Sequence, residues 1–293
     1  MPRITFDALS AFAVFADHLH MTRAATALHI TQPALHTKLK ALARQLDCTL
    51  WEHQGHRLVL TPEGEQLARF ARDQQERLTA FLDELHEVPA SRPVVLAAGH
   101  AAYLHILGDA VRSTLTARPG SLRLLHTHRH DMLDAVRAGR AHLGVSALDV
   151  LPADLTVAKI ASYPQVLLTP ADHHLATRRS ITLADLDGAD LVVPPPTRPH
   201  RANLERALRG ADVHWNVAVE TEGWPLMIHF ASLGVGLAIV TGCVTAPHGL
   251  SAIRIRDLPP ITYYAVHRDG ALRDSRTQEL LRTIRTTVAA KRT

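Results

Sequence analysis

The fold is decided by residues 21 to 47, which read MTRAATALHITQPALHTKLKALARQLD. Thr22 can cap a short alanine-rich helix, and a three-residue turn at 29–31 follows that helix. Thr31 can then cap a longer helix that begins Gln32-Pro33, since a first-turn proline lacks only an N–H that would have no partner there. Leucines spaced by four, three and four residues give the longer helix one apolar stripe, at Leu35, Leu39, Leu42 and Leu46.

The opposite stripe of the longer helix is polar and basic, with His36, Lys40 and Arg44. Two helices joined by a short turn, the second basic on its outward face, are typical of a helix-turn-helix whose second helix enters the DNA major groove. Gln32 and Thr37 are suited to base edges. The side chains suited to phosphates are Arg23, Lys38 and Lys40. A plain three-helix bundle with a solvated basic face remains open at this point.

Two short strands are predicted after these helices, at 50–52 and 57–60, around the turn Gln54-Gly55-His56. Such a hairpin behind a helix-turn-helix indicates a wing. His56 and Arg57 at its tip are placed to meet a phosphate or the minor groove. An aromatic helix at 5–17 completes the core of this module.

A long helix opens at Thr61-Pro62-Glu63 with a cap, a first-turn proline and a carboxylate. Its apolar residues keep a four-three alternation that predicts a coiled-coil seam, at Leu67, Ala71, Leu78, Phe81, Leu85 and Val88. Residues 18–60 carry five Lys or Arg against two acidic residues, whereas residues 61–87 carry three against seven. We expect the acidic helix to pair two basic modules, although packing on its own protein is an alternative.

The segment from Phe6 to Leu67 resembles the DNA-binding region of the LysR-type transcriptional regulators. The likeness is carried by residues 22–25, 28–34, Leu50 and 60–64. The resemblance implies that Gln32, Pro33, His36 and Thr37 face the major groove, and that Thr22, Arg23 and the wing hold the DNA backbone. Thr31 is a further candidate DNA contact. Asp47 stands where the family usually ends this helix with glycine, and we expect it to accept a left-handed cap. Further departures are His36 for serine, Ala43 for glutamate and His53 for arginine.

Composition sets the broad class. The chain has 293 residues, of which 46% are hydrophobic, enough for two or three domains. No signal peptide and no run of about 18 apolar residues is evident, so we expect a cytoplasmic protein without a membrane partner. Two distant cysteines predict neither a disulfide framework nor a thiolate zinc site, and no cofactor is expected.

The last two hundred residues alternate strand-like and helix-like runs, which predicts an α/β domain of two doubly wound subdomains. The family resemblance implies that this is an effector domain, periplasmic-binding-protein-like. Strands are predicted at 94–98, 122–128, 143–147, 165–169, 191–193, 214–219, 237–241, 253–255 and 262–267. Helices are predicted at 102–117, 131–139, 201–209, 224–233 and 275–290. The predicted division is 1–61 for the winged helix-turn-helix, 62–90 for the linker helix and 91–293 for the effector domain. Within the last, subdomain I spans about 91–160 and 266–293, and subdomain II about 161–265, with crossovers near 160 and 261.

A ligand is expected between the subdomains, because open α/β sheets bind ligands beyond the carboxyl ends of their strands. The family resemblance, which extends through 133–144, 171–176, 181–186 and 233–238, implies the same cleft. Four loops supply the candidate effector-binding residues, which are Gly99, His100, Ala101, Ala102, Thr127, His128, Arg129, Thr197, Arg198 and Glu222. The two arginines and His100 favour a carboxylate or another anion.

The sequence therefore predicts a transcriptional regulator without catalytic activity. Its expected partners are double-stranded promoter DNA, a small-molecule effector, and a second copy in a dimer or tetramer formed through the linker helix. RNA polymerase is a further candidate partner. A solute-binding protein with an appended helical module, an enzyme that uses the cleft, and a metal sensor built on His126, His128 and His130 are the alternatives.

Overall fold

The computed structural model describes residues 4–55, 57–85 and 92–291. Its N-terminal elements are α1 (Phe6–His18), α2 (Met21–Ala27), α3 (Gln32–Leu46), β1 (Trp51–Gln54), β2 (Arg57–Leu60) and α4 (Pro62–Leu85). The following elements are β3 (Val94–Ala98), α5 (His100–Ala102), a π-helical turn (Tyr103–Leu107), α6 (Gly108–Ala117), β4 (Leu122–His126), α7 (Arg129–Arg137), β5 (Leu143–Ala147) and β6 (Thr156–Tyr163). The remaining elements are β7 (Gln165–Pro170), β8 (Ser180–Ile181), β9 (Ala189–Val193), α8 (Pro199–Gly210), β10 (Trp215–Glu220), α9 (Trp224–Ser232), β11 (Leu237–Thr241), β12 (Leu250–Ile255), β13 (Ile261–His267) and α10 (Ser275–Ala290).

The first three helices form a compact module around Phe12 and Phe15, both fully buried. Local hydrogen bonds set the bounds of α3: the Thr31 hydroxyl accepts from the Ala34 amide at 3.4 Å, and Asp47 ends the helix in the left-handed region with φ 51°. Both features agree with the sequence prediction. The predicted cap of α2 is wrong, because the His20 ring accepts from the Arg23 amide and Thr22 lies inside the helix.

The wing is an antiparallel hairpin in which Trp51 lies opposite Leu60, and Gly55 turns the chain at φ +64°. The hairpin leads directly into α4, where the Thr61 hydroxyl accepts from the Gly64 amide at 3.0 Å. A Cβ atom at Gly64 would stand 1.9 Å from the Leu50 carbonyl oxygen. This close approach requires glycine at position 64 and holds α4 against the wing.

The apolar repeat of α4 does not form one continuous seam. Ala71 is fully buried against Leu9 and Ala13 of α1, and Leu67 packs beside them, so the first part of the repeat belongs to its own module. Other large apolar side chains of α4 are exposed, namely Phe70 beside the buried Ala71 and, farther along the helix, Leu78, Phe81 and Leu82. Leu85 is the last helical residue, and Val88 lies outside the described residues. The prediction of an uninterrupted seam is therefore corrected.

Two mixed sheets form the C-terminal domain, with strand orders β4-β3-β5-β13-β6 and β10-β9-β11-β7-β12-β8. The prediction of two α/β subdomains is confirmed, although β6 and β8 had no counterpart in it. The chain crosses between the sheets after β6, at Pro164, and again between β12 and β13, at 256–260. The predicted boundaries at 160 and 266 are thus a few residues off, since both β6 and β13 lie entirely in the first sheet.

The sheet of subdomain I is covered on one face by the π-helical turn, α6 and α10, through Ile106, Ala110 and Ile284, and on the other by α7, through Met132. A π-helical turn at Tyr103–Leu107 interrupts the helix predicted at 102–117. The Tyr103 hydroxyl donates to the carbonyl oxygens of Leu96, at 2.5 Å, and Leu125. Burial raises the pKa of Tyr103 to about 12, so this anchor stays protonated.

An arginine of α4 joins the N-terminal module to subdomain I. The Arg72 guanidinium, 10% exposed, lies 2.5 Å from the Asp17 carboxylate of α1 and also donates to the Ala138 carbonyl oxygen after α7. Beside it, Arg268 pairs with Asp73 at 3.1 Å. None of the helices in the described part of the chain has the length and apolar character needed to cross a membrane.

Candidate nucleic-acid interface and effector cleft

The outward face of α3 is exposed to solvent along its length. The exposed predicted DNA-contact residues of α2 and α3 are Thr22, Arg23, Thr31, Gln32, Pro33, His36, Thr37 and Lys40. The Thr22 hydroxyl donates to Oε1 of Gln32 at 3.0 Å, which fixes the amide at the start of α3. The Gln32 amide nitrogen keeps two donors, which suit the acceptors on base edges in the major groove.

The basic groups around this face differ in their pairing. Lys38 is half-buried, and its ammonium donates to the Asp7 carboxylate of α1 at 2.6 Å. This pair links α1 to α3. It also partly neutralises the Lys38 ammonium, which the sequence analysis expected to contact DNA phosphates. Arg57 is exposed on β2, whereas His56 lies outside the described residues. Of the predicted phosphate ligands, Arg23, Lys40 and Arg57 therefore expose their charge most directly.

The effector cleft is built by the carboxyl ends of parallel strands. Strands β3, β4 and β5 end on one wall, and β9 and β10 end on the other. The loops that follow these strands begin α5, α7, α8 and α9, so all four predicted loops meet at the cleft.

A charged contact crosses the cleft. Nε2 of His128, at the start of α7, lies 3.3 Å from Oε1 of Glu222 and 3.4 Å from Nη2 of Arg198. Arg198 and Glu222 form an ion pair on the wall of subdomain II. The sequence placed all three residues among the candidates, and the structure brings them together.

The second candidate arginine, Arg129, is also paired with a carboxylate. Arg129 lies 3.0 Å from Asp149, which follows β5 on the same wall. Nε2 of His200 in α8 donates to the Ile239 carbonyl oxygen at 3.1 Å. Burial lowers the pKa of His200, while this hydrogen bond and the charge of Asp149 oppose that shift. Sequence reasoning missed Asp149 and His200. The sequence could have indicated Asp149, because this residue follows a parallel strand, as the four chosen loops do.

Histidines line the wall of subdomain I. The rings of His100 and His126 stack with centroids 3.6 Å apart, and His128 lies edge-on to His126 at 6.2 Å. Burial lowers the pKa of His126, and the neighbouring His100 and His128 lower it further. His126 therefore supplies a neutral imidazole at neutral pH.

The other candidates contribute backbone or lie apart from the charged contact. Ala102 is buried in the core of subdomain I, so its side chain does not face a ligand and only its backbone is available to one. Gly99 precedes α5 in extended conformation, and the Thr127 amide donates to the Ala98 carbonyl at 3.1 Å. Ala101 is half-buried and Thr197 is exposed.

The histidine metal site is not formed. His130 lies in α7, 85% exposed and 3.8 Å from Asp134, whereas His126 ends β4. Throughout 4–55, 57–85 and 92–291, no three His, Cys, Asp or Glu side chains are grouped so as to hold a metal ion. The two cysteines pack in different domains: Cys48 beside the core of the N-terminal module and Cys243 beside that of subdomain I. Burial raises the pKa of Cys243 to about 12, which keeps the thiol protonated and unreactive.

Comparison with known families separates the same two parts. Residues 6–65 match the bacterial regulatory helix-turn-helix protein of the lysR family, and residues 87–289 match the LysR substrate binding domain. The chain belongs to the LysR family. It is a DNA-binding transcriptional regulator with an effector-binding domain, and the helix-turn-helix interpretation of α2 and α3 is confirmed over the plain bundle.

Relatives and solved structures cover nearly the whole LysR chain. It is 26% identical over 241 residues to the uncharacterized HTH-type transcriptional regulator YybE of Bacillus subtilis, covering 80% of this chain and 82% of YybE. A full-length OxyR variant from Pseudomonas aeruginosa matches with a TM-score of 0.79 at 20% identity, covering 97% of this chain and 95% of OxyR. Full-length CbnR complexed with its target DNA matches with a TM-score of 0.56 at 20% identity, covering 96% and 100%.

Proposed function

We propose that this LysR-family regulator binds an effector with an anionic group between its two subdomains and that this binding alters its action on promoter DNA. The observation that carries the proposal is the contact of His128 with Arg198 and Glu222, because it joins the walls through groups that a small polar molecule can replace. Arg198 and Arg129 present guanidinium groups suited to a carboxylate. Gly99, His100, Ala101, Thr127 and Thr197 lie on the loops around them.

On DNA, we propose that the start and outward face of α3 contact the base edges, through Gln32, Pro33, His36 and Thr37. The Thr22–Gln32 hydrogen bond supports this assignment, because it holds the amide where the helix would enter the groove. We assign the phosphates to Arg23, Lys40 and Arg57, with Thr22 and Thr31 nearby, and include His56 from its place in the sequence alone. Lys38 joins them only when it leaves Asp7.

Self-association follows from the exposed apolar side chains of α4. Phe70 and Phe81 are 50% and 57% exposed, and a second copy of the same helix would remove both from water. A dimer also places two reading helices on paired half-sites, since one module recognises too few base pairs. Pairing of dimers into a tetramer, and contact with RNA polymerase, belong to the same proposal.

Regulation then rests on a population shift. An effector moves the equilibrium between two arrangements only by its different affinity for them, so it must contact both walls of the cleft. Because Arg72 connects α4 to the end of α7, a movement of subdomain I reaches the DNA-binding module. The cleft serves this switch and performs no catalysis.

The testing experiment is a footprint of the purified protein on the DNA upstream of its own gene, at physiological salt. We expect two protected patches about one helical turn apart, lost with Gln32→Ala. Gln45→Ala is the matched control, since Gln45 is also exposed on α3 but lies near its other end. Protection spread over any DNA, or unchanged by Gln32→Ala, would contradict sequence-specific reading.

A further inference from the structure

The charges of the effector cleft come in balanced pairs. Arg198 pairs with Glu222 on the wall of subdomain II, and Arg129 pairs with Asp149 at 3.0 Å on the wall of subdomain I. The four side chains remain between 34% and 50% exposed, so a ligand can reach each of them. At neutral pH the four groups together carry no net charge, although the two arginines alone suggest a purely anionic ligand.

A simple anion fits this arrangement poorly. To reach Arg198 it must displace the Glu222 carboxylate, which then lies next to a like charge without its partner. An anion that left Glu222 in place would face the same carboxylate. A molecule that brings its own cation avoids the conflict, because its anionic group takes Arg198 while its cationic group takes Glu222.

We propose that the effector is a small zwitterion of the α-amino acid type. In such a molecule the carboxylate and the ammonium are attached to one carbon atom, so both reach two protein groups that contact each other, as Arg198 and Glu222 do. The ligand opens this ion pair and replaces each partner with a group of the same charge. This inference rests on the proposed function, which it deepens by naming the class of effector.

The same insertion explains how the ligand senses both walls. His128 of subdomain I contacts Arg198 and Glu222 of subdomain II, so a zwitterion between the latter two also lies beside His128. Its side chain points across the cleft to Arg129 and Asp149, whose exposed charges select among amino acids. The stacked rings of His100 and His126 complete that wall.

The test measures binding to the full-length protein by titration calorimetry. The probes are the twenty L-amino acids, each compared with its deaminated acid and its decarboxylated amine, for example L-phenylalanine with 3-phenylpropionate and 2-phenylethylamine. We expect at least one amino acid to bind about tenfold more tightly than either of its matched analogues. Binding of none of the twenty, or equal binding of the deaminated acid, overturns the proposal.

A variant separates the two charges. Glu222→Gln keeps the size of the side chain and removes its charge, so we expect the preference for the amino acid over the deaminated acid to fall to about one. Glu279→Gln is the matched control, because Glu279 of α10 is a similarly exposed glutamate that pairs with an arginine, Arg118 at the end of α6. An unchanged preference in Glu222→Gln, with both variants folded by circular dichroism, overturns the assignment of the ammonium to Glu222.

The outcome for the ligand is distinguishable from the outcome for DNA. Footprinting uses the same preparation without any added ligand. Protection of specific sites by a protein that binds no amino acid leaves the regulator in place and removes only the zwitterion. Amino-acid binding by a protein that protects no specific site supports the zwitterion and contradicts the proposed sequence-specific action on DNA.

Discussion

The DNA-binding module and the effector cleft are assembled in different ways. At the start of α3, the hydrogen-bonded groups lie close in sequence. The Thr31 hydroxyl accepts from the Ala34 amide three residues later, and the Thr22 hydroxyl donates to Gln32 ten residues later. In the cleft, His128 meets Arg198 seventy residues away. Local patterns therefore predict the first region in detail, whereas the second depends on how two sheets are joined.

The largest expected effect breaks the N-terminal region and spares the cleft. Gly64→Ala places a Cβ where the Leu50 carbonyl oxygen stands, so the wing and α4 must separate. We expect a loss of about 3 kcal/mol in the stability of the module, the upper range for overpacking. The loss of stability is measured by thermal unfolding, with the loss of DNA binding as the signal for the N-terminal module. Gly210→Ala is the control, because nothing lies within 4 Å of the Cβ that it adds. Equal behaviour of the two variants would contradict the close contact.

A second change tests the connection between the two regions. Arg72→Met removes a largely buried guanidinium and leaves the Ala138 carbonyl and the half-exposed Asp17 carboxylate without their shared donor. We expect a loss of about 2 kcal/mol in the free energy of unfolding, with a weaker effect of ligand on DNA binding. Arg77→Met, on an exposed part of α4, is the comparison. Coupling that is equally strong in both variants would show that the signal takes another path.

Acidification is expected to weaken the effector domain through His142. Burial lowers the pKa of His142 from an ordinary 6.5 to about 4, and its Nδ1 accepts from the Val95 amide at 2.9 Å. Because the unfolded chain binds the proton first, the stability that the neutral ring provides is complete above pH 6.5 and is lost as the pH falls toward 4. We expect a loss of about 1 kcal/mol between pH 7 and 5.5.

Denaturant unfolding at the two pH values provides the measurement. His142→Asn keeps an acceptor near the Val95 amide and does not titrate, so its stability should fall less over this range than that of the natural protein. A parallel decline of the two proteins would assign the acid sensitivity to other groups.

The smallest expected effect distinguishes two lysines of one helix. Lys40 is exposed, while Lys38 is bound to Asp7. We expect Lys40→Met to lower the slope of log affinity against log salt by about one, and Lys38→Met to lower it by less. Fluorescence anisotropy on one operator at several salt concentrations gives both slopes. A larger change for Lys38→Met would mean that the Asp7 pair opens on DNA.

Most helices and strands were predicted within a few residues, as for α9 and α10, because their apolar periods are regular. Strand β6 was missed, since Lys159 and exposed positions interrupt its alternation at the edge of the sheet. The π-helical turn at Tyr103 was also missed, because the Tyr103 hydroxyl bonds to strands that lie beside it only in the folded domain.

The sequence by itself determined the family, the reading helix, the wing and the position of the cleft loops, since caps, prolines, glycines and apolar spacing act over a few residues. The tertiary structure decided which charges are paired. Arg129 and Arg198 look like free cations along the chain, and Lys38 looks like a phosphate ligand, until folding brings Asp149, Glu222 and Asp7 beside them. Electrostatic interactions depend on distance in space, and that distance is set only when the sheets and helices have packed.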